Sequence, residues 1–359
     1  MKTGRYGVFL LKIAIYAIAV LIIIIATNYF IDASSAINPR YDEMARLALE
    51  GNIVAVPQNY NERAYQICIV EQMDRMPETI VIGNSRGMFL GTGTTGYEDI
   101  YNHCVSNACL EDDYAMLGLY YKKFGALPSR VIMEAGPWFF FEDNPEARWR
   151  ELGTYTAAAV DLYGIVNGGE LYMDVKAENP YLSLSYFQYN LGQFLQKGFR
   201  VFDRSVNARI STNEDEGADY PDGTIRYEAH LERESEERLK SVQQTTGACT
   251  QANIQFMTEI SEQKAKAFEN LIDYLLENNC EVTIYLQPFS VTQCRYSLDQ
   301  GLNPAFELVE HYLWDLAQEK GIRIVGGYDA RDFGLTDERF IDSIHLDRIG
   351  TGIVWNYEY

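Results

Sequence analysis

Three residues of this chain could together activate an oxygen nucleophile. Ser85 lies in Gly83-Asn84-Ser85-Arg86-Gly87, and Asp342 and His345 lie in Phe340-Ile341-Asp342-Ser343-Ile344-His345-Leu346. A serine hydroxyl needs a base of near-neutral pKa, and the base needs a carboxylate that fixes its tautomer and stabilises its imidazolium form. An Asp-x-x-His spacing lets those two side chains meet in one turn. Histidine is scarce, with four in the chain. His311 falls in a helix-like segment, His230 in a charged one, and His103 near a strand end, where it either lines a site or is a satisfied structural residue. The serine block also has two readings. A glycine-flanked turn leading into a helix start would expose the hydroxyl at a sheet edge beside N–H groups able to hold an oxyanion, and a serine can equally cap a helix. The block matches a nucleophile elbow literally, but an elbow follows several strands and this serine ends the first.

The elements around these blocks alternate. The β-branched run at 79–82 reads as a buried strand that turns at Gly83. A second strand is expected at 100–103, a helix at 110–124 and a third strand at 130–134, running into Gly136-Pro137-Trp138. Residues 139–253 break the pattern with Tyr-rich segments, an acidic loop at 213–219 and a charged helix-like run at 228–244, and read as an insertion or lid. Order resumes with a helix at 255–278, a strand at 282–286, a helix at 304–320 and a strand at 322–325. Short apolar strands separated by helices predict a parallel sheet covered on both faces, a doubly wound α/β fold. Such folds place their sites at the carboxyl ends of the strands.

Upstream, Lys2, Arg5 and Lys12 flank an apolar stretch at 8–26, just long enough to cross a bilayer core of about 30 Å if Lys12 snorkels. The basic residues on its N-terminal side predict a cytoplasmic N-terminus and a main domain outside the cytoplasm. A cleaved signal peptide, with Ala33-Ser34-Ser35-Ala36 near a possible cut, and a buried core helix are the alternatives. Expected units are therefore a cytoplasmic tip and anchor at 1–27, a stalk or lead-in at 28–77 with helical periodicity over 40–49, and a main domain at 78–359 with the insertion at 139–253. With the three leading cations set aside, 27 Lys plus Arg face 51 Asp plus Glu. That surface argues against nucleic acid and against adhesion to anionic headgroups, and tolerates an uncharged glycan. Six cysteines without a C-x-x-C pair give no zinc or redox motif. They permit up to three disulfides in 15 connectivities, or buried free thiols.

The serine block at the first strand end and Asp-x-x-His after the last resemble the SGNH (GDSL-like) superfamily over residues 79 to the C-terminus. The resemblance implies a flavodoxin-like sheet and acyl transfer or ester hydrolysis, with Ser85 as nucleophile, His345 as base and Asp342 as its orienting carboxylate. The N-terminal anchor is similar to that of the envelope subgroup containing the teichoic-acid D-alanyl transfer protein and the alginate O-acetyltransferases. That implies a cell-envelope or secreted polysaccharide as acceptor, an acyl donor, and a multispanning membrane O-acyltransferase as partner. The proposed chemistry calls for no cofactor or metal. The other class of function open to such a domain is a catalytically degraded glycan-binding or scaffolding protein.

Two blocks depart from the superfamily, whose oxyanion hole adds a glycine from the second block and an asparagine from the third. Here those strand ends read Val105-Ser106-Asn107-Ala108 and Glu134-Ala135-Gly136-Pro137-Trp138. Asn107 is either an oxyanion donor or a turn residue. Arg86 either binds a carboxylate or phosphate or lies on the surface, and Trp138 is expected to wall the cleft. The tyrosines of the insertion (Tyr163, Tyr172, Tyr181, Tyr186, Tyr189) either stack on sugar rings or belong to the core.

Overall fold

The computed structural model describes residues 3–33, 39–57, 60–171, 181–202, 208–228, 235–247, 257–302 and 304–358. Ser34, Ser35, Ala36, Tyr172, His230, Cys249 and the stretches 229–234 and 248–256 lie outside the described residues.

A five-stranded parallel sheet is built from β2 (Thr79–Ile82), β3 (Ile100–Asn102), β4 (Arg130–Glu134), β7 (Glu281–Leu286) and β8 (Arg323–Gly326), in the order β3-β2-β4-β7-β8. The fold is mixed α/β. Side chains alternate across the pleat. Ile80, Ile82, Val131, Met133, Ile284 and Leu286 enter one core, while Val81, Ile132, Tyr285 and Val325 enter a second on the other face. The first core is covered by α5 (Leu110–Phe124), α9 (Glu262–Glu277) and α11 (Ala305–Lys320), and the second by α12 (Arg348–Trp355). The side chain of Ser261 accepts from the Lys264 N–H and caps α9, so that helix begins later than its apolar periodicity suggests.

Two parts of the expected organisation gain a definite place. Residues 41–72, in the expected stalk or lead-in, hold two helices that pack into the core. Helix α2 (Tyr41–Leu49) buries Tyr41, Met44, Ala45 and Ala48, an i, i+3, i+4, i+7 stripe, and α3 (Glu62–Gln72) buries Tyr65, Ile69 and Val70 in the same core. The buried guanidinium of Arg63 grips both oxygens of Asp112 in the first turn of α5, at 2.6 and 2.9 Å. The start of the expected insertion is likewise core. Helix α6 (Gly153–Asn167) buries Tyr155, Ala158, Ala159 and Leu162. It crosses α5 at Gly118, where a Cβ would stand 2.3 Å from the Ala158 carbonyl oxygen. Further on, β5 (Ala218–Asp219) and β6 (Ile225–Arg226) form a small antiparallel sheet with β1 (Val54–Ala55) of the lead-in. Cys68, Cys104, Cys109, Cys280 and Cys294 are all free thiols.

Helix α1 runs over Thr3–Ile31, past the expected end of the apolar segment, and is long and apolar enough to cross a membrane. Its last turn is engaged by residues 181–190, the start of α7 (Leu184–Lys197).

Candidate active site

Ser85 is presented by a turn that only glycine can begin. Gly83 has φ +126, and a Cβ there would lie 2.4 Å from the Glu134 carbonyl oxygen. Asn84 then closes the turn: its side chain accepts from the Arg86 N–H at 2.9 Å, and its own N–H donates to Glu134 Oε2 at 3.2 Å. Gly87 packs on Cys104 and Glu134, with its would-be Cβ 2.7 Å from the Cys104 sulfur. Of the first N–H groups of this short 3-10 turn, those of Arg86 and Gly87 are taken by Asn84. The Ser85 N–H heads the turn, where no intrahelical partner exists.

Ser85 Oγ lies 2.8 Å from His345 Nε2, across 260 residues of sequence. His345 Nδ1 lies 2.8 Å from Asp342 Oδ2. Oδ1 of Asp342 accepts the backbone N–H groups of Ile344 and His345 at 2.9 and 2.8 Å, so the Asp-x-x-His segment folds back on its own carboxylate. Burial would raise the pKa of Asp342, but His345 and these hydrogen bonds outweigh it and hold the carboxyl below its usual range. An ionised carboxylate only accepts, which leaves the proton on Nδ1 and frees Nε2 to accept from the Ser85 hydroxyl.

The loop is pinned from outside. Ile341 N–H donates to the His345 carbonyl at 2.8 Å, Gln287 Nε2 donates to the Ile344 carbonyl at 3.0 Å, and Ser290 N–H donates to the Ser343 carbonyl at 3.1 Å. Ser343 also bonds Thr245 through its N–H and hydroxyl at 2.9 and 3.1 Å. Thr245 ends α8 (Ser235–Thr245), so the middle of the chain supports the histidine. These supports, Glu134 among them, carry no motif. A carboxylate ending the apolar run Val131-Ile132-Met133 was the one legible signal.

Arg86 is neither at the surface nor free to bind a ligand anion. It is 1% exposed, with its guanidinium 4.0 Å from the Phe289 ring centroid, 5.6 Å from Trp138 and 5.5 Å from Tyr328. Its nearest anion is Glu134, at 4.0 Å. Burial dominates the Glu134 pKa, which is pushed up to about 7 against the pull of Arg86 and the Asn84 N–H. Ser85 and Glu134 end β2 and β4, on either side of the point where the strand order reverses, the usual place for a ligand crevice.

The other expected contributors divide. Asn107 is exposed, adopts φ +52 and lines a cavity of about 350 Å³ with Trp138, Asn144, Glu146 and Arg148. The Trp138 indole is 3% exposed and donates to the Ala108 carbonyl at 3.0 Å, so it contributes an edge rather than an open face. Gly136 admits no side chain, because a Cβ would sit 2.5 Å from the Trp138 ring and 2.9 Å from Asn84 Nδ2. His103 is buried between Gln66 and Tyr120, 2.6 Å from each, and burial drives its pKa down to about 3. Tyr163 packs on Tyr114 at 5.1 Å, the Tyr181 carbonyl accepts from Asn28 of α1, and Tyr186, which stacks on Tyr189, donates to Asp32 just beyond α1. In comparisons with known proteins, no family model and no curated protein matches the chain.

Proposed function

We propose that the chain is a membrane-anchored serine hydrolase or O-acyltransferase of the SGNH type, acting on a cell-envelope or secreted polysaccharide. The reading rests on one observation: the 2.8 Å hydrogen bonds that join Ser85, His345 and Asp342 from opposite ends of the chain. In this reading His345 takes the hydroxyl proton as Ser85 attacks an acyl donor, and the Ser85 N–H holds the oxyanion. Asn107 is the second donor. His345 passes the serine proton to the group that leaves the acyl donor. A glycan hydroxyl or water then gives up its proton to the neutral His345, attacks the acyl-enzyme and releases Ser85, which regains the proton from His345. Counted within its own sheet, the strand order is 2-1-3-4-5, the flavodoxin-like order, which supports the fold half of the proposal. Helix α1, with Lys12 and Arg5 toward its N-terminal end, supports a single-pass anchor with the domain outside the cytoplasm. A multispanning acyltransferase would supply the acyl group.

The bare Gly136 favours a second reading, since it removes the position from which an asparagine would complete the oxyanion hole. That reading is a catalytically silent glycan-binding domain. Labelling of the folded protein with a fluorophosphonate separates the two. The catalytic reading expects adduct on Ser85 that disappears in Ser85→Ala, and unlabelled folded wild type would replace it with the binding reading.

A further inference from the structure

Helix α7 and the turn that follows it, Gly198–Phe202, bear an apolar stripe that is largely exposed, its Phe199 and Phe202 rings packing on Phe194 and on each other. Leu184, Leu191 and Leu195 are 56%, 40% and 77% exposed, and Phe199 and Phe202 are 84% and 42% exposed. Such a patch is large for a folded surface. Charge sets the stretch apart as well. In a chain of net charge −21, residues 184–202 hold no Asp or Glu, carry Lys197 and Arg200, and include six aromatic residues.

The position of the stretch identifies what covers it. Asn28, on the last turn of α1, is fully buried and donates to the carbonyl oxygens of Tyr181 and Ser183 at 3.2 and 3.0 Å. Asn190 of α7, also fully buried, donates to Asn28 Oδ1 at 3.2 Å and accepts from the Ala33 N–H at 2.9 Å. The Tyr186 hydroxyl donates to Asp32 at 2.7 Å. The stripe is thereby clamped to the C-terminal end of α1, the one helix among the described residues that is long and apolar enough to cross a bilayer. Aromatic, uncharged or basic segments at that depth are what the headgroup boundary accepts.

We propose that α7 and residues 198–202 form an interfacial collar that inserts Leu184, Leu191, Leu195, Phe199 and Phe202 into the outer boundary of the bilayer spanned by α1. The proposal rests on α1 being an anchor. Insertion is apolar rather than electrostatic, so it needs no anionic lipid and survives high salt.

The test uses the full chain in phosphatidylcholine vesicles whose acyl chains carry bromine near the headgroup. Trp is introduced singly as Leu195→Trp, Phe199→Trp and, as an exposed control on α12, Ile353→Trp, and the emission of the parent protein is subtracted. The added emission of Leu195→Trp and Phe199→Trp is expected to shift to the blue and to lose most of its intensity to bromine, with Ile353→Trp unchanged. Co-flotation with vesicles but equal quenching at all three positions overturns the collar and leaves the anchor standing. A stripe shielded from bromine by self-association gives that same result. Failure of the full chain to float with the vesicles removes the anchor and the collar together. Two independent replacements at exposed positions guard against misfolding in either one.

Discussion

The proposed chemistry at the serine turn depends on which nitrogen of His345 carries the proton. Asp342 decides this, accepting three hydrogen bonds from the histidine segment, two from the backbone and one from Nδ1. Asp342→Asn retains the backbone acceptor but can donate to Nδ1, favouring the wrong tautomer. The expected outcome is a fluorophosphonate labelling rate lower by about 10³–10⁴-fold with little change in melting temperature. An unaffected rate would mean that the aspartate only holds the loop. All three residues were readable in the sequence because their chemistry requires specific types at strand ends. Arg86 was misplaced, since adjacency to a reactive serine says nothing about whether three aromatic rings from distant segments close over it.

At the scale of elements, the carboxyl ends of β2 and β4 are joined by a charge pair that few sequence arguments would bury. Arg86 and Glu134 are both fully buried, and the guanidinium stacks on rings instead of forming close hydrogen bonds. Removing one partner strands the other. Arg86→Met is expected to cost about 3–5 kcal/mol, and Arg86→Met with Glu134→Gln to recover much of it, measured by denaturant unfolding. Equal losses in the single and double variants would show that the aromatic stacking, not the ion pair, carries the stability. The sheet and its main helices were legible because their periodicity is strong. In the stretch 139–253 the helix-like run that becomes α8 was legible but its role was not, since α6 is apolar nearly all round and α8 supports the histidine loop through two hydrogen bonds between Thr245 and Ser343.

Across the whole molecule, excess acid reaches the interior. Asp219 in the small sheet is 4% exposed, and burial, reinforced by Glu62 and eased by the Tyr60 hydroxyl, pushes its pKa up to about 8. Its unfolded value is near 3.8, so between the two the native state holds a proton that the unfolded chain has lost. This contribution to stability is complete below the unfolded value and disappears as pH rises through about 8. Glu134, raised to about 7, acts with the same sign. The melting temperature should therefore fall on going from about pH 6 to about pH 9. Asp219→Asn should melt above wild type across this range, with the gap widening by about 3 °C or more from the acid to the alkaline end. Parallel curves for the two proteins would show that Asp219 titrates normally.

The short connection between α1 and α2 has a geometric consequence. Residues 32–40 are all that separate Ile31 from Tyr41, and nine residues drawn out fully reach about 30 Å. With α1 seated in a bilayer as proposed, that leash keeps the serine turn within roughly one domain's height of the lipid. Material further out in an envelope is beyond its radius of action. Any polymer it serves must pass close by the membrane, at or soon after emergence, rather than be modified in place in the outer layers.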